Sequence, residues 1–524
     1  MRKTPDIAKF LEEHPLRPLT RLEPQKSVKA ALSEAYTLNF CSIETEGTAA
    51  AEGGPRKAFA ADLSSLFPYI ATSTEFPIGT YFKLLGDEID PAKVSFQAHD
   101  FFYDARAYTG LLQVRIIPPK NLVYPLLLTT IRDQSLAVLC FTCAKKMQQK
   151  PCTHNDQQRA LTDIWTTAEL NYAVTQLDYR VSDYFEFMLY PKKAPILQKF
   201  TTLLAFDKIR FAALPPWVDS NNVQDLVVYC NKINAEMSFG EIIGKKLAPG
   251  DLQPNSLMRL FFKRALVSWL GNFSANLEKR TVTKFLDDPD QLDYYASRDQ
   301  ILGITVINSR YVQVTLSGAR PNDANQTRQD KSSAISRKAC ASIGAFVTSG
   351  ARVFIHKQMM ELTQKGANIL KVCCDALYFT LPKTVLDPLQ YSESFGMWKH
   401  IYPGELLSLC QMGVCNYAVL YRESNQGQLV SEAKVSGLTM SHCLTEKLNY
   451  SVYLEAVNTM INDNIADSKT KLYSQVRKKT DPKTMSVTYC RRRQSVFSRN
   501  VLSRRVLVRE LKNCFVTRPY GWSE

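Results

Sequence analysis

The chain has 524 residues, too long for one compact domain, and at roughly 100–200 residues per domain it should hold several packed units. Hydrophobic residues make up 45% and charged residues 22%, which excludes a disordered, collagenous or coiled-coil protein. With 65 Lys and Arg against 50 Asp and Glu the formal net charge is +15, so a polyanionic partner is expected, nucleic acid before membrane.

Residues 1–35 read as helical, with Ile7, Phe10 and Leu11 spaced for one face. The N-terminus MRKTPDIAKFLEEHP is basic but has no apolar run of the secretory type. EGTAAAEGGPRK, residues 46–57, reads as a linker. AFAADLSSLFPYI then begins a strand-like second region. Residues 75–135 read as short strands and loops broken by Pro77, Pro91, Pro118, Pro119 and Pro125. The best apolar stretch, Leu111 to Phe141, is broken by Arg115, Lys120, Arg132 and Asp133, which argues against a membrane span. Residues 155–215 read as mostly helical, and 251–275 as a further helix. From 276 to 335 short strands are expected, with a hairpin in ILGITVINSRYVQVTLSG around Asn308-Ser309. A long helix, SSAISRKACASIGAFVTSGARVFIHKQMMELTQKG, and a strand, NILKVCCDALYFTLP, follow. The remainder alternates strands (CNYAVLYRES, LVSEAKVSGLTM) with helices.

The basic excess is concentrated near the end. Lys469 to Lys512 carries 14 Lys or Arg against Asp481 and Glu510, which is +12 of the chain's +15. Aromatic and branched residues, among them Tyr473, Tyr489, Phe497 and Val506, interleave with these charges. The pattern reads as folded structure with a phosphate-tracking face, against the alternative of a merely solvated one. The 13 cysteines are odd in number and lack disulfide-framework spacing, so reduced thiols in an intracellular compartment, nucleus or cytoplasm, are expected.

Two acidic residues stand on apolar segments: Asp62 at the end of one strand, and Asp375 inside another, KVCCDALYF. Each must be paired, neutralised or bound to metal. Taken singly, either is ordinarily a buried hydrogen-bond acceptor. Taken together, they suggest carboxylates on adjacent strands, a donor set suited to Mg²⁺ shared with substrate phosphates. Cys140-x-x-Cys143 followed by Cys152-x-His154 supplies four soft ligands in fifteen residues, the set for a closed, structural Zn²⁺ site. The alternative there is chance in a cysteine-rich chain.

DLSSLFPYIATSTEFPIGTY resembles motif A of the protein-primed family B DNA polymerases, the group of adenoviral, phage, linear-plasmid and Maverick/Polinton-like enzymes. KRALVSWLG, starting at Lys263, resembles motif B, and CCDAL resembles motif C; the order along the chain is the family's. Gly53-Gly54 resembles the linker before the polymerase domain, and TSGARVFIHKQ the helix ahead of motif C. CNY at 415–417 takes the place of the thumb K-x-Y, KVSGL at 434–438 resembles the strand after it, and TRPYGWSE resembles the group's C-terminus. The Cys cluster followed by R-A-L-x-x-x-W-x-x-x-E-L, Arg159 to Leu170, is similar to Maverick-type relatives. The resemblance covers about residues 50–524.

It implies an α/β (α+β) right hand: a palm on an antiparallel sheet, helical fingers and a thumb. The expected parts are an N-terminal segment and linker (1–57), palm with motif A (58–100), an insertion with the zinc site (101–240), fingers (241–280), a second insertion (281–335), palm with motif C (336–405) and thumb (406–524). It implies template-directed addition of dNTPs to a primer 3′-hydroxyl, or to the hydroxyl of a priming protein, on a viral or mobile genome. Asp62 and Asp375 would bind two Mg²⁺. Leu66 and Phe67 would face the triphosphate from a tight turn, with the Phe67 ring under the sugar. Arg259 and Lys263 would meet the triphosphate from a helix, and Gly271 would admit the nascent base pair. Tyr417, Lys434, Gly437, Arg491, Arg492 and Arg493 would touch DNA. Partners are then primer-template DNA, dNTPs and a terminal protein, with no membrane.

The chain departs from the family where motif C's first Asp is Cys373 and its Ser is Ala376, where motif B has Val267 and Leu270 for Asn and Tyr, and where the thumb Lys is Cys415. Two other readings therefore stay open: a decayed polymerase serving as a DNA- or terminal-protein-binding scaffold, and a plain zinc-dependent DNA-binding protein. Only 61 residues precede Asp62, and SIETEG matches the D-x-E exonuclease motif faintly, so no proofreading domain is expected in this chain.

Overall fold

The computed structural model describes residues 39–44, 56–98, 100–131, 134–273, 281–286, 288–296, 301–306, 312–317, 341–392, 394–413, 416–424, 427–435, 438, 440, 442–462, 471–480, 487–496, 505–511 and 514–523. The expected N-terminal helix, Gly53-Gly54, Cys415 and Gly437 lie outside these residues, as does most of the 46–57 linker; Arg56 and Lys57 already belong to a strand.

The fold mixes helices with antiparallel sheets. The largest sheet has ten strands. Its path runs Asn368–Cys373, Ala376–Pro382, Arg56–Leu63, Gly404–Gly413, Asn39–Glu44, Cys514–Pro519, Arg505–Leu511. Trp398–His400 joins beside Arg56–Leu63, and Asn416–Glu423 and Leu429–Val435 extend it from Gly404–Gly413. Period-two alternation in Arg56–Leu63 sorts its side chains. Phe59, Ala61 and Leu63 pack with Leu377, Phe379 and Leu381 on one face. Ala58 and Ala60 share the other with Ala376, Tyr378, Tyr402 and Tyr417. Asp62 continues the second series, away from the main core.

The first face is covered by two helices, Leu66–Ser73 and Ala341–Gln364. The longer one buries Val347, Ala351, Ile355, Met359 and Leu362, a stripe at intervals of three and four residues. Its opposite side reaches a second, six-stranded sheet in the order Phe82–Leu85, Arg180–Tyr190, Arg106–Ile117, Phe101–Tyr103, Val94–Phe96, with Leu161–Thr166 also on Arg106–Ile117. A fully buried ion pair joins the two layers, Arg352 Nε to Glu169 Oε1 at 2.6 Å. Beside it His356 donates from Nε2 to the Tyr124 carbonyl at 2.7 Å and accepts from the Tyr172 hydroxyl at Nδ1. Burial holds this imidazole neutral, its pKa lowered to about 4.

One expectation changes. Residues 155–215 are not mostly helical: Leu161–Thr166 and Arg180–Tyr190 are strands of the second sheet. LTDIWT and RVSDYFEFMLY are rich in aromatic and branched residues that fill a pleated surface. The second sheet recruits strands from Phe82 onward. A helical layer follows, formed by Gln198–Arg210, Val223–Met237, Phe239–Ile243 and Ser256–Phe273. The hairpin in 301–317 is present, as Ile301–Val306 paired with Val312–Ser317, and Thr281–Leu286 makes it three-stranded.

Candidate metal and nucleotide site, and a Cys/His cluster

NILKVCCDALYFTLP is not one strand. It is a hairpin, Asn368–Cys373 and Ala376–Pro382, closed by Cys374 and Asp375. Cys374 takes φ +63, a left-handed conformation that Asn or Gly usually supplies, so nothing in the residue types announced the turn. Asp375 therefore stands at a sheet tip and not inside a strand. Ala376–Pro382 pairs with Arg56–Leu63 so that Ala376 faces Asp62, and the Leu63 N–H donates to the Asp375 carbonyl at 2.8 Å. The two carboxylates, distant in sequence, thus meet at one edge of the sheet. The Asp375 carboxyl is pushed up to about 7: burial and then the nearby Asp62 charge raise it, while its own backbone and Lys399 partly offset them.

Lys399 was not anticipated. Trp398–His400 pairs along the other side of Arg56–Leu63 with Lys399 opposite Asp62, and its Nζ lies 2.8 Å from Asp62 Oδ2. The loop before it is fixed by backbone bonds between Ser64 and both Gly396 and Met397. Gly396 has φ +74, and a Cβ there would meet the Tyr69 ring at 2.6 Å, so only glycine fits. No local signal ties Lys399 to Asp62; only the pairing of remote strands does.

Leu66 and Phe67 are not in a tight turn. They open the helix Leu66–Ser73, after Ser65 at φ 57. Their N–H groups, at the first two helical positions, have no intrahelical acceptor and point out of a positive helix end. The Phe67 ring is only 9% exposed and belongs to the main core. Lys208, 8% exposed, donates from Nζ to Ser65 Oγ at 3.1 Å and so brings a cation to this helix end. Its signal was readable: Thr201, Ala205 and Lys208 fall on one buried stripe, a position where the helical period expects an apolar residue.

The Ser256–Phe273 helix packs on Gln198–Arg210 and carries the motif B residues. Lys263 is exposed and Arg259, one turn earlier, half-buried. A Cβ built on the exposed Gly271 meets nothing within 4 Å.

Among the expected DNA contacts, Lys434 is exposed, opposite Tyr417 in register. Tyr417 itself is 3% exposed, out of reach of a nucleic-acid strand in this arrangement. Its hydroxyl bonds that of Tyr378 at 3.0 Å, and the buried Lys371 ammonium sits 2.9 Å from its ring centroid. Burial raises the pKa of its phenol. The basic stretch includes a hairpin, Lys471–Thr480 with Val487–Val496, in which Arg491, Arg492 and Arg493 oppose Val476, Gln475 and Ser474. These two strands hold seven Lys or Arg and no acidic residue.

Cys140, Cys143, Cys152 and His154 converge, their ligand atoms all within 4.8 Å of one another. His154 Nδ1 lies 3.5, 3.2 and 3.6 Å from the three sulfurs. A tetrahedron with Zn–S of ~2.3 Å and Zn–N of ~2.0 Å has S···N edges of ~3.5 Å, so the spacing suits zinc. Burial keeps Cys140 and Cys143 raised as thiols. For Cys152 burial is outweighed by the His154 N–H, the other two thiols and Arg159, so its pKa is lowered.

No protein-family description matches the sequence, and no curated protein matches it. Among solved structures the chain is similar to Phi29 DNA polymerase with primer-template DNA and incoming nucleotides, at TM-score 0.44 and 11% identity over 94% of this chain and 66% of that one. The same polymerase with single-stranded DNA gives the same figures. Its orthorhombic crystal form gives TM-score 0.40 and 11% identity over 80% of this chain and 56% of that one. The chain thus spans just under two thirds of the Phi29 chain or less. Likeness at this level assigns no role to any residue. Among the described residues no helix is long and apolar enough to cross a membrane.

Proposed function

We propose that the chain is a DNA-directed DNA polymerase of the protein-primed family B type, adding dNTPs to a primer hydroxyl held by a template. The observation that carries this reading is the meeting of Asp62 and Asp375 at the tip of the large sheet, two hard-oxygen donors brought together by strand pairing. Burial, and after it the neighbouring Asp62 charge, hold the Asp375 carboxyl up at about 7, and a shared cation would offset both, so the two hard-oxygen donors fit Mg²⁺. When bound there, Mg²⁺ would supply Lewis-acid stabilisation of the attacking and leaving oxygens. The chain's own groups do the positioning. Asp62 and Asp375 fix the cations, and the N–H groups of Leu66 and Phe67, with Lys208 beside them, take phosphate oxygens. Arg259 and Lys263 approach the triphosphate from the Ser256–Phe273 helix, and Gly271 leaves room for the base pair. Lys434 and the hairpin bearing Arg491, Arg492 and Arg493 track the DNA backbone. A structural Zn²⁺ belongs to the Cys/His cluster.

Primer extension with purified protein, labelled dNTP and Mg²⁺ tests this. The parent should extend, and Asp62→Asn or Asp375→Asn should reduce incorporation by ~10³-fold or more while leaving DNA affinity nearly unchanged. Extension surviving either change would place the chemistry elsewhere. A second reading, a non-catalytic scaffold, is favoured by Cys373 at the site, by the Lys399–Asp62 ion pair and by the burial of Tyr417. A parent that binds primer-template DNA but never extends it would select that reading.

A further inference from the structure

The last described residues run into the Cys/His cluster. Cys514–Pro519 is a strand of the large sheet, and the chain leaves it directly for the second layer. Tyr520 is fully buried there, and its carbonyl accepts from the Leu139 N–H at 2.8 Å. The Cys152 N–H donates to the Trp522 carbonyl at 3.3 Å, and the Ser523 N–H to the Lys120 carbonyl at 3.0 Å. Gly521 adopts φ +90, and a Cβ there would meet Cys140 Cβ at 2.3 Å and Cys140 N at 2.5 Å. The backbone of this segment therefore lies directly on two of the cluster's ligand residues.

Arg159 supplies an independent observation. It is 1% exposed, yet no carboxylate pairs with it among the described residues. Its Nη1 donates to the Gly521 carbonyl at 3.2 Å and lies 3.7 Å from Cys152 Sγ, and its Nη2 donates to the carbonyls of Pro118 and Pro119. Its Nε has no partner. A guanidinium buried without a counter-charge is costly. Zinc held by three thiolates and a neutral imidazole carries one net negative charge. Such a centre neutralises Arg159, and Arg159 in turn ties it to the Gly521 carbonyl.

We propose that Cys140, Cys143, Cys152 and His154 form a zinc clasp whose cargo is this chain's own segment Tyr520–Ser523, fastening the large sheet to the second layer. The metal sets the helix start at Leu139–Cys143 and the loop Cys152–His154 in register, and these segments present the backbone groups that the C-terminal segment binds. Removing the zinc should release the segment, and disturbing the segment should loosen the zinc.

The test uses the full chain without DNA or nucleotide, so its outcome is independent of polymerase activity. Native mass spectrometry should find about one zinc ion per chain. Stripping it with a strong chelator should expose the amides of residues 514–523 to hydrogen exchange while the long helix Ala341–Gln364 stays protected. Gly521→Val and Arg159→Lys should speed zinc transfer to a colorimetric chelator by roughly 10–100-fold, the usual effect of disturbing groups that orient metal ligands. Absence of zinc from chelator-free protein would overturn the proposal. So would complete loss of zinc on stripping with exchange at 514–523 unchanged. If a variant fails to fold by circular dichroism, the stripping experiment on the parent still decides.

Discussion

The two candidate metal sites are built in opposite ways. The Cys/His cluster takes four ligands from one short loop, closes around its centre and puts the rest of the chain's contacts behind it. The carboxylate site brings together Asp62, on a strand, and Asp375, at a remote hairpin turn, offers only these two carboxylates and places the Lys399 cation against one of them. A closed site spends its ligands on holding chain together, whereas an open, under-liganded one leaves coordination positions for a substrate. The difference teaches that ligand count and openness, more than proximity, separate a fastener from a reaction centre.

The largest expected effect separates them by exchange. Brief treatment with EDTA should stop primer extension completely, and Mg²⁺ alone should restore it, because hard-oxygen sites release Mg²⁺ readily while a thiolate centre retains zinc. If recovery needs added zinc, the two sites are coupled and the comparison breaks.

Next comes the buried carboxyl of the Asp62–Asp375 site. A carboxyl whose folded pKa is raised, here Asp375 to about 7, holds its proton longer in the folded than in the unfolded chain. Its contribution is fully present below the unfolded value and is lost as pH rises toward 7. Asp375→Asn should therefore stabilise the Mg²⁺-free protein at pH 8 by up to about 4 kcal/mol, and not at all at pH 3, as read by urea denaturation. Equal effects at both pH values would mean that desolvation is not what raises this carboxyl.

Lys399→Ala should sharpen the contrast further. Removing the ammonium leaves two carboxylates facing each other. The Mg²⁺ concentration for half-maximal extension should then fall by roughly fivefold, a modest change because solvent screens this partly exposed pair. A rise instead would give Lys399 a positive role with substrate.

The smallest effect concerns the basic hairpin. Successive residues of a strand alternate between faces, so a duplex laid on one face meets Arg491 and Arg493 or else Arg492. The slope of log affinity against log salt should change by about 0.9 for each phosphate contact removed, and single alanine variants should divide accordingly. Three equal losses would mean that the strand geometry does not govern the contact.

The same contrast explains what was readable in the sequence. Four ligands of soft type within one loop signal themselves, so Cys140, Cys143, Cys152 and His154 were found as a group. Asp62 and Asp375 stood out only because each interrupts an apolar run. That they meet depends on strand pairing, which spacing does not encode. Lys399 carried no signal for the same reason. Cys374 hid a turn because a thiol took the backbone conformation of a glycine. The R-A-L-x-x-x-W-x-x-x-E-L pattern looked like a family mark, and the structure gives each position structural work. Arg159 meets the Gly521 carbonyl, Trp165 donates to the Leu128 carbonyl at 2.7 Å, Glu169 meets Arg352 and Leu170 is buried. Tyr417, expected at DNA, is held in the core by Tyr378 and Lys371. The alternation of its strand placed it on one of two faces without saying which was covered.

The Arg352–Glu169 pair bears on how the molecule can move. Prying the long helix from the second layer would strand two opposite charges in a dry interior, at about 3–5 kcal/mol. The parted form would then be populated between roughly one molecule in a hundred and one in several thousand. The long helix and the second layer are thereby held as one rivet-joined plate.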